Sequence, residues 1–184
     1  MSAMKKRAKK KGTGNTQAYS PLLLSNIPIQ DGEILYASSP RKQNFDAFRW
    51  LGISKTGQHI VSLFDYINQG KKGITRNSVD ELAGYLGVSR KVIAEDIFDI
   101  SVKTLERKVP DGRLNRKISS HAIEIARVME HALQVFGTDE KVKLWVNTPN
   151  KSLNASRPIE LMGTLTGIQI IDDVLGRIQE GVFS

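Results

Sequence analysis

The chain has 184 residues, 27 Lys+Arg against 19 Asp+Glu, a formal net charge of +8, 40% hydrophobic residues and no cysteine. That length suits one domain or two small ones with a real core, and the lack of cysteine excludes a disulfide framework, Cys-ligated zinc, an iron–sulfur cluster and a thiol nucleophile. No apolar stretch approaches the roughly 18–20 residues that span a bilayer, and the basic start is followed by no hydrophobic segment of the secretory kind, so a cytoplasmic protein without a membrane anchor is expected. Residues 1–14 hold Lys5, Lys6, Arg7, Lys9, Lys10 and Lys11 and no acid, whereas 15–116 hold 14 basic and 11 acidic residues and 117–184 hold 7 and 8. The charge therefore describes a nearly neutral body with a cationic arm.

Residues 1–18 read as a basic tail too polar to bury anything, disordered when free. Residues 19–44 carry Pro21, Pro28 and Pro40 among short apolar clusters and read as an extended arm. From about residue 45 the pattern is helical. Ile60, Phe64 and Ile67 recur at i, i+4, i+7, with Gly70 placed as a stop. Ser78-Val79-Asp80-Glu81 fits a capping box opening a helix with Val79, Leu82, Ala83 and Leu86 on one face and Gly87 at its end. Ser89 caps a segment with Val92, Ile93 and Ile97 inward, and Ser101 caps a shorter one closed near Pro110. A long helix is predicted from about Ser119 to Phe136, with Ile123, Ile125, Ala126, Met129, Ala132 and Leu133 as its stripe and Gly137 beyond. Thr138 or Asp139 starts the next helix, through Val142, Leu144 and Trp145, which Pro149 breaks. Pro158 begins a further helix, and Gly167 leads into Ile170, Ile171, Val174, Leu175 and Ile178. The expected fold class is all-α, or mainly so, in four parts: tail 1–18, arm 19–44, a helix-turn-helix domain 45–118 and a C-terminal domain 119–184.

Catalytic chemistry is hard to assemble from these residues. His59, His121 and His131 have no ligand-spaced partner, Gly12-Thr13-Gly14 lacks the strand and Lys of a phosphate loop, and no G-x-S-x-G is present. The pairs Glu95-Asp96, Asp139-Glu140 and Asp172-Asp173 read as solvated helix surface. The chain reads as no enzyme, with no cofactor and no metal site. Two overlapping windows fit a helix-turn-helix. The first runs Asp80–Leu86, Gly87-Val88-Ser89, Arg90–Phe98 and offers Arg90 and Lys91 to DNA. The second runs Val92–Phe98, Asp99-Ile100-Ser101, Val102–Lys108 and offers Lys103, Thr104 and Arg107 to phosphates and base edges, with Asp99 at a turn whose left-handed backbone Asp tolerates. An ordinary helical hairpin fits both windows too.

The last fifty residues read VFG (Val135-Phe136-Gly137), then Trp145, Pro149-Asn150 and Leu153, then Pro158, Leu161-Met162, Thr164 and Gly167, then Leu175, Arg177-Ile178 and Gly181-Val182-Phe183. Trp145, Pro149, Asn150 and Leu153 make sense as residues that define a small helical domain. The pattern resembles the Xre/MbcA/ParS antitoxin family over roughly residues 48–184, and Ser101–Arg107 resembles the segment closing that family's helix-turn-helix, which favours the second window. The resemblance implies a homodimeric protein that binds a RES-domain, NAD-degrading toxin and represses its own operon by binding operator DNA. It also implies that Arg177, Glu180, Gly181, Val182, Phe183 and Ser184 form a C-terminal segment blocking the toxin's active site. A stand-alone DNA-binding regulator with no toxin is the alternative. The tail and the arm have no match in the family pattern.

Overall fold

The computed structural model describes residues 29–30, 33–34, 46–53 and 63–181. The tail, most of the arm, His59, Ile60, Val61 and the final residues Val182, Phe183 and Ser184 lie outside the described residues. Two compact units are present, Met1–Lys42 and Gln43–Ser184. Within the first, β1 (Ile29–Gln30) pairs antiparallel with β2 (Glu33–Ile34), Ile29 opposite Ile34.

The second unit is helical. A 3-10 turn, Ala47–Leu51, is followed by α1 (Leu63–Lys72), α2 (Arg76–Leu86), α3 (Arg90–Val92, running on as a π-helical turn over Ile93–Ile97) and α4 (Val102–Glu106). Then come α5 (Arg116–Phe136), α6 (Asp139–Val146), a second 3-10 turn over Lys151–Leu153, α7 (Pro158–Leu161) and α8 (Leu165–Gln179). The protein is mainly helical, as expected. Helix α5 is the central post: α1, the Ala47–Leu51 turn, α6 and α8 all pack on it. Its buried residues Ile118, Ala122, Ile123, Ile125, Ala126, Met129 and Ala132 join one hydrophobic cluster that reaches from Phe48 and Trp50 to Ile171 and Leu175. Residues 45–118 and 119–184 share that cluster.

Local capping chemistry accounts for most helix starts. Ser89, Ser101 and Thr138 each accept a hydrogen bond from the backbone N–H three residues on, satisfying one of the free donors at a helix start. Gly87 and Gly137 take the left-handed conformation at the ends of α2 and α5, as does Asp99, φ 54°, between the π-helical turn and α4.

Several boundaries differ from expectation. The cap of helix α2 lies three residues before the proposed one: Thr75 is the cap, accepting from Ser78 N, and Ser78 is a buried residue of the first turn, its Oγ 3.1 Å from Thr75 Oγ1. Helix α5 begins at Arg116 with Asn115 as its cap, so Ser119 lies inside the first turns, donating to Asn115 O at 2.8 Å and accepting from Ile74 N at 3.0 Å. Gly70 does not end α1; the helix runs to Lys72 and Gly73, φ +85°, turns the chain. The α1 stripe is also rotated. Tyr66 and Gly70 face the core, while Phe64 and Ile67 are 73% and 49% exposed. The reason is close approach: a Cβ on Gly70 would stand 3.0 Å from Ser120 Oγ, so only the glycine side of α1 seats on α5. Gly167 is likewise the third residue of α8, capped by Thr164, and does not precede it.

Candidate functional site

Residues after about 131 form a compact arrangement around the end of α8. Trp145 stacks on Phe136 with ring centroids 5.2 Å apart and is partly buried. Helix α6 stops at Val146, three residues short of Pro149, and Asn147 Nδ2 then donates to Leu86 O at 2.9 Å. Asn150 organises the loop that follows. Its side chain accepts from Ser152 N at 2.8 Å, its carbonyl accepts from Leu153 N and Ala155 N, and its N–H donates to Ser156 O. That set of bonds folds Leu153 inward to 5% exposure, while Pro149 itself stays exposed.

A polar tie onto α8 is made by His131. Buried on α5, it places Nδ1 2.5 Å from Asp172 Oδ1 and Nε2 3.3 Å from Gln179 Oε1. One imidazole thus holds α8 at its middle and at its last residue. Arg177, between the two contacts of this clamp, and Glu180 and Gly181, beyond it, are exposed, and Glu180 closes the helix through its N–H to Gly176 O at 3.0 Å. His121, one helix face away, meets the Met162 carbonyl at 2.7 Å and the Phe98 ring edge-on. Burial lowers its pKa, opposed by that carbonyl, which accepts from Nε2–H. His131→Leu is expected to release the end of α8. Losing two hydrogen bonds corresponds to about 1–2 kcal/mol, so amide exchange over residues 176–180 should rise about tenfold with the rest of the core protected; unchanged exchange would contradict the clamp.

The five residues offered to DNA are not equivalent. Arg90 is bonded to Asp80 at 2.7 Å, which raises its pKa, and Lys91 stands 3.9 Å from Glu95. Thr104 belongs to the α4 cap, its Oγ1 2.8 Å from Ser101 Oγ. Lys103 and Arg107 are exposed and enter no ion pair among the described residues.

Sequence reasoning missed a buried polar network. Trp50, 1% exposed, donates from Nε1 to Glu130 Oε2 at 2.9 Å. Arg49 lies over the indole, 4.7 Å from its centroid, and makes a two-pronged bond to Asp139, 2.8 Å at its shortest. Burial pushes the Glu130 carboxyl up, against the pull of the indole N–H and Arg49. The one sequence signal was Glu130 itself, a carboxylate at core spacing within the α5 stripe. Among the described residues no group of three or more His, Cys, Asp or Glu is placed to hold a metal ion, and no helix is long and apolar enough to cross a membrane.

Comparison with known proteins agrees with this arrangement. Residues 131–181 match the antitoxin Xre/MbcA/ParS C-terminal toxin-binding domain, a stretch that opens on the clamp histidine and closes at the end of α8. The chain is 30% identical over 136 residues to the antitoxin Xre of Yersinia enterocolitica, covering 73% of this chain and 90% of that protein. It is 23% identical over 153 residues to the antitoxin Xre of Photorhabdus laumondii, covering 82% and 99%. A Sphingobium protein named Prs ADP-ribosylating antitoxin is 25% identical over 134 residues, 67% of this chain and 84% of its own length. With the pattern from VFG to the final glycine standing on a folded scaffold, the chain belongs to the Xre/MbcA/ParS antitoxin family and carries that family's toxin-binding domain.

Proposed function

We propose that this chain is the cytoplasmic antitoxin of a RES-domain, NAD-degrading toxin, that Arg177, Glu180, Gly181 and the three residues after them block the toxin's active site, and that a helix-turn-helix in residues 45–118 represses the chain's own operon as a homodimer. The observation that carries the toxin half is the exposed end of α8, held on α5 by His131 at the boundary of the toxin-binding domain. A segment that must enter a partner's cleft needs a fixed base, because ordering it on binding costs free energy that pre-organisation avoids. Glu180 then supplies a carboxylate for the arginines that hold NAD phosphates, a charge-assisted pairing. The DNA half is supported by the turn at Asp99, by exposed Lys103 on α4 and by exposed Arg107 just after it.

The test is co-expression with the operon's toxin. The full chain is expected to hold cellular NAD⁺ at its normal level, and a chain lacking residues 179–184 to let it collapse while remaining folded by circular dichroism. Protection by the truncated chain would rule out the blocking segment.

A further inference from the structure

The positive charge of the helical body is gathered at one end. Residues 71–77 and 107–117 lie 30 residues apart in sequence, yet a ladder of bonds joins them. Arg76 N donates to Gly112 O, Asn77 N to Pro110 O and Leu114 N to Ile74 O, at 2.9–3.1 Å. Arg76 Nη1 reaches Lys108 O at 3.1 Å, and Arg113 Nη1 reaches Gly73 O at 2.6 Å. The first turns of α5 dock on the same place through Ile74 N and Ser119 Oγ. The two segments hold eight basic residues, Lys71, Lys72, Arg76, Arg107, Lys108, Arg113, Arg116 and Lys117, against one acid, Asp111. Their net charge is +7. The rest of the described body, 46–53, 63–70, 78–106 and 118–181, holds 10 basic and 16 acidic residues, or −6.

Folding accounts for only some of these cations: Lys71 and Lys72 close the last turn of α1, where positive charge suits the helix dipole. Arg116 and Lys117 open α5 with no acid in its first turn, and a cation at a helix N-terminus opposes the helix dipole. Lys71, Lys72, Arg107, Lys108, Arg116 and Lys117 are exposed and enter no ion pair among the described residues. Arg76 is the exception, 3.5 Å from Asp80, and Arg113 is committed to backbone carbonyls. Like charges crowded at a site where Arg116 and Lys117 also disfavour a helix are explained by an external polyanion. Helix α4, with Lys103, runs directly into residue 107, so the patch continues the surface already assigned to DNA.

We propose that the junction of residues 71–72, 107–108 and 116–117 is a phosphate-contacting surface for duplex DNA, gripping the backbone beside the duplex that α4 reads. This rests on the operator-binding reading above and adds Lys71, Lys72, Arg116 and Lys117, which lie in neither helix-turn-helix window. Contacts of this kind fix register without reading sequence, and each phosphate neutralised adds about 0.9 to the slope of log affinity against log salt.

The test uses the full chain and its Arg116→Gln, Lys117→Gln double variant, with a duplex from the operon's own promoter and a scrambled duplex of equal length, titrated over a salt series. The variant is expected to melt at or above the parent's temperature, because charges facing the α5 dipole are removed. Its salt slope should fall by about 2 on both duplexes, its affinity at least tenfold, and its toxin neutralisation should stay intact. If the parent binds DNA and the variant binds with the same slope and affinity, the patch is overturned and the operator reading stands. A parent that binds neither duplex overturns both. Retained DNA binding with lost neutralisation would make the patch a protein-facing surface and also overturn the proposal.

Discussion

Gly167→Ala is expected to cost about 3 kcal/mol or more, because a Cβ at this position would overlap the Leu161 carbonyl oxygen and crowd Thr164 Oγ1. The obstacle is backbone, which cannot swing aside as a side chain would, so α8 or α7 must move bodily. Overpacking of this kind costs about 1–3 kcal/mol where neighbours yield, and here they do not. For a body of this size a loss of about 3 kcal/mol lowers the unfolding midpoint by roughly 10 °C. Displacing α8 also moves Asp172 and Gln179 away from His131, so toxin neutralisation should fail with the fold only weakened. Gly176→Ala is the matched control. Gly176 lies in the same helix with nothing within 4 Å of a built Cβ, and replacing a mid-helix glycine there should stabilise by about 0.5–1 kcal/mol. Thermal melts of the two variants should move in opposite directions; a parallel shift would contradict the packing described.

The second large effect is expected at Trp50. Trp50→Ala should cost about 3–5 kcal/mol, the range for emptying a buried aromatic site, since the indole packs edge-on against Tyr85 at 4.9 Å, lies under Arg49 and is 1% exposed. Trp50→Phe keeps much of the volume but leaves Glu130 buried without the indole N–H, and should cost about 2–4 kcal/mol. Glu130→Gln separates charge from shape. Burial raises the Glu130 pKa above its usual 4.5, so the folded state holds this proton more tightly than the unfolded chain. The stability contributed by that tighter binding is fully present below pH 4.5 and is lost as pH rises through the folded value. Relative to the parent, Glu130→Gln should therefore gain stability as pH is raised from 4.5 to 7.5, measured by urea unfolding. A difference that is flat with pH, or that runs the other way, would show that the indole N–H and Arg49 together balance or outweigh burial at this carboxyl.

How legible all this was in the sequence depended on how far each cause reached along the chain. The caps at Ser89, Ser101 and Thr138 and the left-handed turns at Gly87 and Asp99 are decided within four residues, and the sequence reading placed them. Family membership was legible because its pattern is dense between Val135 and Gly181. The rotation of α1 was not, because Phe64 and Ile67 obey the helical period and only the meeting of Gly70 with Ser120 decides which face is inward. Arg49 and Asp139 stand 90 residues apart, and Asp139 looked like half of a solvated pair. His131 showed only the lack of a ligand-spaced partner, since neither Asp172 nor Gln179 is a neighbour in sequence. The charge pattern misled in a similar way: counted along the chain, the body was nearly neutral, and only the ladder between residues 74–77 and 110–114 gathers its cations at one end.

The continuous core has a thermodynamic consequence. One cluster runs from Phe48 and Trp50 through α5 to Ile171 and Leu175, so the end of α8 proposed to meet the toxin and the basic junction proposed to meet DNA share a single folding equilibrium. A ligand that binds only the folded chain draws that equilibrium toward the native state by mass action, by about 2.7 kcal/mol at a hundred times its dissociation constant. On the proposed assignments, toxin held at the end of α8 would protect the basic junction against unfolding, and DNA held at the junction would protect α8, with no signal passing between them except the shared stability of the body.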